Sequence, residues 1–374
     1  MANTFNTESR LLLGKREAVA GVAETLTSAD GDVRVRTVEL SNLTVEYDDE
    51  SSKYLTGDHT RDEAIAGIAR GSIDFGIKMA VGEFVYATSG VATPKTPKLP
   101  YKKYMESAGF TVSAVNPTDY STEDGYWLFS PEKEADEQTS TIALYDIETG
   151  ATGKGIEYKL AGCVGTFTLG VESTGKPFMG QFSMQGKVSD VREVDHASLP
   201  SFDDGKALST LADPMLNTIV RLTEVNRDGS AIVGATPYNL CLNAFSIDGG
   251  LTVAEIQCQS DAYGIKNNVI TMRDPRISMS PMLATISEFN FWSAMNDMKV
   301  YKVEILAYKD AAKTKPAIQI IAPRCQLLST NGADDNGFRR QEYVLRPMRN
   351  LQGATALEKQ HDYTIKIYGV NTLK

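Results

Sequence analysis

The chain has 374 residues, enough for two domains that each bury a core of their own. Its 38 basic and 48 acidic residues leave a formal charge of −10, and no Lys/Arg cluster is interleaved with aromatics, so sequence-specific nucleic-acid binding is not expected. Four scattered cysteines (Cys163, Cys241, Cys258, Cys325) form no disulfide framework and read as buried thiols of a cytosolic protein; no basic-flanked leader and no apolar run of about 18 residues predicts export or membrane insertion.

Residues 1–32 are polar apart from Leu11–Leu13 and read as an N-terminal arm that docks on something else. Period-two patterning begins at Val33: Val33, Val35 and Thr37, then Leu43, Val45 and Tyr47, alternate with polar residues as strands do. A charged, Gly-containing excursion from Asp48 to Gly71 follows, too long for a tight hairpin and expected to bind a partner. In RGSIDFGIKMAV, Ile73, Phe75, Ile77, Met79 and Val81 share one face while Ser72, Asp74, Gly76, Lys78 and Ala80 share the other, so one side packs and one is wet.

Pro100 and Gly109 bracket a short helix, and a loop containing Trp127 precedes four strands at Thr141–Tyr145, Ile156–Ala161, Val164–Val171 and Phe178–Lys187. In the last hairpin Phe167, Leu169, Phe182 and Met184 face one way. Thr166, Thr168, Gln181, Ser183 and Gln185 face the other, giving a small, uncharged, hydrogen-bonding surface. Residues 196–238 carry Pro200, Pro214 and Pro237 and read as a linker between a first domain, 33–195, and a second, 239–374. The second ends in the strand DYTIKIYGV, with no further C-terminal module expected.

The second half repeats the plan of the first. Thr141–Cys163 aligns without a gap on Val303–Cys325 at an offset of 162 (325 − 163), superposing Leu144 on Leu306 and Ile156 on Ile318. Strand, polar loop, strand, turn (Glu172–Lys176; Asn331–Gly337) and strand follow in one order, with Arg70–Met79 matched by Asp274–Leu283 and Pro100–Phe110 by Ser287–Met298.

No residue pattern asks for catalysis. His59, His196 and His361 lack partners at metal-ligand spacing, and Cys241 and Cys258 lack the close pairing of a zinc site and read as core. The segment Gly150–Gly155 fails the phosphate-loop pattern, with Glu148 where Gly is needed and Gly155 where Ser or Thr is needed; it reads as a hairpin loop. Asn331–Gly337 lacks the distal Glu of a calcium loop and reads as a hairpin tip. The expectation is a non-enzymatic, mainly β protein without cofactor or metal.

LLLGKREAVAG, the SNLTVEY strand with its long loop, RGSIDFGIKMAV, the helix YKKYMESAGF, and IEYKLAGCVGTFTL with GKPFMGQFSMQGK ahead of Leu199-Pro200 together resemble the tail tube proteins of long, non-contractile-tailed (siphovirus-type) bacteriophages. The likeness runs from residue 8 to about 205 and more loosely over the second unit; the order and spacing carry it rather than any one motif. It implies β-sandwich or barrel tube domains, each with one flanking helix, whose sheets join into rings around a channel for DNA ejection. Two such domains in one chain imply a homotrimer with pseudo-sixfold symmetry and a virion location. The implied partners are further copies of itself, the tape measure protein and other tail proteins, and genomic DNA in unbound transit. No membrane is involved. On that reading Thr166, Thr168, Gln181, Ser183 and Gln185 line the channel, and Asp48, Asp49, Tyr54, Asp58 and Arg61 contact the next ring. The same polar face would serve equally as an ordinary wet surface. A terminator or baseplate ring element, or a receptor- or carbohydrate-binding β-sandwich, stays open as the alternative.

Overall fold

A computed structural model describes residues 5–48, 65–79, 82–86, 96–115, 125–131, 138–148, 153–202, 218–260, 264–308, 312–313, 316–335, 337–353 and 361–373. The chain is mainly β. The first half contains β1 (Phe5–Arg16), β2 (Val35–Asp48), β3 (Ile65–Lys78), β4 (Glu83–Tyr86), β5 (Thr96–Lys98), helix α1 (Lys102–Ser107), β6 (Phe110–Val115), β7 (Tyr126–Pro131), β8 (Ser140–Glu148), β9 (Gly155–Val171) and β10 (Met179–Val194). The second contains β11 (Thr218–Val225), β12 (Tyr238–Leu240), β13 (Leu242–Asp248), β14 (Leu251–Gln257), β15 (Ile265–Arg273), β16 (Arg276–Pro281), helix α2 (Phe291–Asn296), β17 (Val300–Tyr308), β18 (Pro316–Asp335), β19 (Phe338–Pro347), β20 (Thr364–Tyr368) and β21 (Val370–Leu373).

The halves share one strand order. Neighbours run β1-β8-β9-β10-β3-β2 in the first unit. They run β11-β17-β18-β19-β16-β13 in the second. Each unit places its short helix between the corresponding strands, α1 after β3 and α2 after β16. Six strands in one order, all antiparallel, explain why the two segments align at fixed spacing although few residues are identical.

The units are not independent. β13 pairs with β9 (Phe245 opposite Val171, Ile247 opposite Leu169), making one sheet of both. β20 pairs with β18 of its own unit and β7 of the first, while β21 runs parallel to β4. One large hydrophobic core runs through both halves, with a smaller cluster around Leu13, Ala143 and Tyr145. In the first unit Phe75 packs against Tyr104 (4.7 Å) and Phe182 (5.4 Å); in the second Phe289 packs against Tyr238, Tyr301 and Tyr343 within 5.6 Å. Phe110 meets Tyr363 from the other half at 6.0 Å. Each buried ring of this size stabilises the fold by about 1.5–3 kcal/mol.

Several elements differ from the sequence expectation. The N-terminal segment is no outward arm: β1 pairs along β8, and Leu12 and Leu13 are buried on opposite faces of the strand. Three consecutive leucines hide alternation, because both faces of this strand pack. The supposed linker contains β11, the counterpart of β1, paired with β17. Trp127 is a buried residue of β7 stacked on Phe84 (4.3 Å), not a loop residue. Cys163 and Cys325 are buried, as expected, but Cys241 is exposed and Cys258 is half-buried.

The two expected strands at 156–161 and 164–171 are one, β9, which changes lateral partner partway: residues 155–163 pair with β8 and 168–171 with β13. The change lies at Gly162, whose φ of +62° and two-against-one bulge opposite Gly186 turn the strand without ending it. Likewise Asn331–Asp335, expected as a hairpin tip, is the end of β18. The turn comes later, where Asp334 Oδ1 accepts from the Gly337 N–H (3.1 Å).

Candidate functional site

The polar face of β2, β3, β10 and β9 is the most distinctive surface of the first unit. Its residues fall in rows across the sheet. Glu39, Asp74, Ser183 and Thr166 are successive partners in one row. Thr37, Gly76, Gln181 and Thr168 form the next, which crosses the joint between units to Asp248 of β13. Both rows lie on one face because each step along a strand is two residues. The opposite face is core: Phe75, Phe167, Leu169, Phe182 and Met184 are all buried.

Thr166, Thr168, Gln181 and Ser183 thus come together, lining a shallow depression of about 420 Å³ with Thr37, Glu39 and Asp74. Gln185 lies farther along the same strand, opposite Ser72 and Val164. A Cβ at Gly76 would fall 2.7 Å from Gln181 Oε1 and 2.8 Å from Thr37 Oγ1, so the absent side chain lets these two lean over the row.

Sequence reading found the hairpin residues and Asp74 but gave β2 the wrong phase. Simple alternation groups Thr37 with apolar Val33 and Val35. Register shifts between Val35 and Thr37 and between Leu40 and Asn42 reset the alternation, placing Val38 in the core and Thr37 and Glu39 on the wet face. Asp248 was missed because only the joint between units carries it into the row.

Chemically the face presents hydroxyls, an amide and carboxylates. The cation the second row next meets is Arg276, opposite Asp248, and it is held by Asp274 at 2.5 Å; Asp274 also takes Arg346 at 2.9 Å. Arg70, where β3 leaves the face, pairs with Glu255 of β14 (2.6 Å) and with Glu46 of β2, and the hydrogen bond to Glu255, ahead of that to Glu46, raises its pKa. Nothing in the two rows offers a phosphate an unpaired cation.

Of the loop candidates, Asp48 is the last residue of β2, opposite Ile65; Asp49, Tyr54, Asp58 and Arg61 lie outside the described residues, as does His59. Among the described residues no group of three or more His, Cys, Asp or Glu could hold a metal ion. Burial pushes the Cys163 and Cys325 thiols well above their ordinary pKa. No helix of the described residues is long and apolar enough to cross a membrane.

No family model and no curated protein matches the chain. Among solved structures, a chain of the sixfold-symmetrised cryo-EM structure of the anti-feeding prophage baseplate is similar over 37% of this chain and 93% of its own length, at 12% identity and a TM-score of 0.29. Likeness at that level decides nothing about fold or role.

Proposed function

We propose that the protein is a structural, self-assembling subunit of a hollow tube, the major tail tube protein of a long non-contractile phage tail, acting in stacked rings through which DNA is ejected. The observation that carries this reading is the joint between the two like units: β13 continues the sheet of the first unit, so one polar face runs unbroken from Thr37 through Gln181 and Thr168 to Asp248. A chain that already joins two copies of one module edge to edge is a segment of a wall.

Each unit supplies four strands to that wall, β9-β10-β3-β2 and β18-β19-β16-β13. Three chains would close about 24 strands, a barrel wide enough to leave an open lumen where about eight would be plugged by side chains. The rows of Ser, Thr, Gln, Asp and Glu then face the passing duplex, and rows that carry no unpaired cation do not hold phosphates. On this reading the protein works by assembly and passage, without catalysis or cofactor, in the virion, alongside its own copies and the tape measure protein.

Electron microscopy of the purified chain over a range of concentrations tests this. Hollow rings of three chains that stack into tubes of variable length are expected. A protein that stays a compact monomer throughout would sink the proposal.

A further inference from the structure

The joint inside the chain specifies a second joint that the chain cannot make with itself. Superposing the units by their pairings places Phe75 on Met279, since Phe75 pairs with Phe182 and Val38, and Met279 with Tyr343 and Phe245. Val38 of β2 therefore corresponds to Phe245 of β13, Glu39 to Ser246 and Leu40 to Ile247. Along the other strand, Gly170 pairs with Met179 and Ala333 with Arg340, so Gly170 corresponds to Ala333, Leu169 to Gly332 and Val171 to Asp334.

In the first unit the edge of β9 at 168–171 is covered by β13. In the second, the matching edge of β18 at 331–334 has no strand beside it among the described residues, for the pairing with β17 ends where Val300 lies opposite Gln326, and β19 lies on the other side. Among the described residues the matching donor, β2, pairs with β3 alone. The described residues thus form one filled socket, one empty socket and one spare plug. Unpaired edges of this kind are completed by another chain.

Side-chain exposure follows the same asymmetry. Phe178, just before β10, is buried and stacks on Phe245 at 6.1 Å; the residue that matches it in this register, Arg339 of β19, is exposed. Gly109, just past α1 with φ +79°, faces Ile270 of the β14–β15 hairpin, a Cβ there falling 3.0 Å from Ile270 Cδ1. Its counterpart past α2, Met298 with φ +49°, is 63% exposed. What the second unit covers on the first, none of the described residues covers on the second.

We infer that β2 of one copy pairs antiparallel with the end of β18 of a second copy, Glu39 opposite Ala333 and Leu40 opposite Gly332, with the stretch of β2 and β3 around the Val45–Ala69 pair over Met298. The Val38 carbonyl accepts from Arg10 Nη1 (2.9 Å), which closes that end of the strip. The contact uses different surfaces on the two copies, so it is head to tail and closes only as a ring. It rests on the tube reading and names the faces that reading needs.

The test is disulfide trapping in the full chain with Cys241→Ser, comparing Glu39→Cys/Ala333→Cys with the shifted pair Glu39→Cys/Asn331→Cys and with each single cysteine. Oxidation of assembled material is expected to give a covalent ladder ending at the trimer, at least about tenfold above the singles and the shifted pair, because disulfide geometry tolerates little displacement. Rings that form without this ladder, or that trap the shifted pair instead, overturn the joint and leave the tube reading standing. Absence of rings under any condition, with a melting curve of the reduced double variant matching the parent, overturns both.

Discussion

Gly170 of β9 lies directly against Ser246 of β13: a Cβ added to Gly170 would fall 2.4 Å from the Phe245 carbonyl oxygen and 2.9 Å from Ser246 Cα. Backbone meets backbone at this point, which is where the sheet of one unit becomes the sheet of the other. At this point of the joint the absence of a side chain lets the two backbones come this close.

Gly170→Val is therefore expected to force the joint apart. Overpacking of this kind costs about 1–3 kcal/mol, here at the upper end because both obstructing atoms are main chain. Chemical denaturation should show the loss, and limited proteolysis should reveal earlier cleavage between the units. Unchanged stability and protection would show that the joint yields without strain.

Glu17 is a buried carboxylate that accepts four hydrogen bonds: from the Gly21 N–H (2.7 Å), Thr139 Oγ1 (2.5 Å), Thr141 Oγ1 (2.9 Å) and the Gly162 N–H (2.7 Å). It ties the turn after β1 to the bend of β9. Glu17→Ala leaves those donors unmatched and is expected to cost about 3 kcal/mol or more. Glu17→Gln should rescue little, because its amide nitrogen would point a donor at donors. Denaturation midpoints of the two variants measure this directly, and a Gln variant as stable as the parent would contradict the assignment.

Glu24 is held below its ordinary pKa of 4.5 by the hydrogen bond from Lys15 and then by that from the Ala18 N–H (3.1 Å). A depressed acid stabilises the fold above its unfolded pKa and loses that contribution as pH falls through the folded one. Glu24→Gln should accordingly melt lower than the parent at neutral pH, with the difference shrinking as pH drops below the ordinary carboxylate value. A gap that stays constant across that range would mean the carboxylate charge is irrelevant.

Thr168→Lys with Gln181→Lys puts two cations side by side in the row that crosses the joint. Both positions are exposed, so stability should change by no more than about 0.5 kcal/mol at each. Assembled variant is expected to retain short duplex DNA in a salt-dependent manner, with the parent retaining none. Equal retention by parent and variant would show that this face does not meet the duplex.

Much of this architecture was written in the sequence. Alternation of Ile73, Phe75 and Ile77 against Ser72, Asp74 and Gly76, and of Phe167, Leu169, Phe182 and Met184 against their polar neighbours, determined strands with one packed and one wet face, because side chains alternate along any extended chain. The fixed spacing between Cys163 and Cys325 likewise disclosed the doubled plan, and both are buried at equivalent places. What only the tertiary structure decided was pairing across distance. Two bulges reset the phase of β2, β1 and β11 filled edges that local pattern could not reveal, and β13 chose β9 as its neighbour. Lateral hydrogen bonding joins residues far apart in the chain, and no local periodicity records which edge meets which.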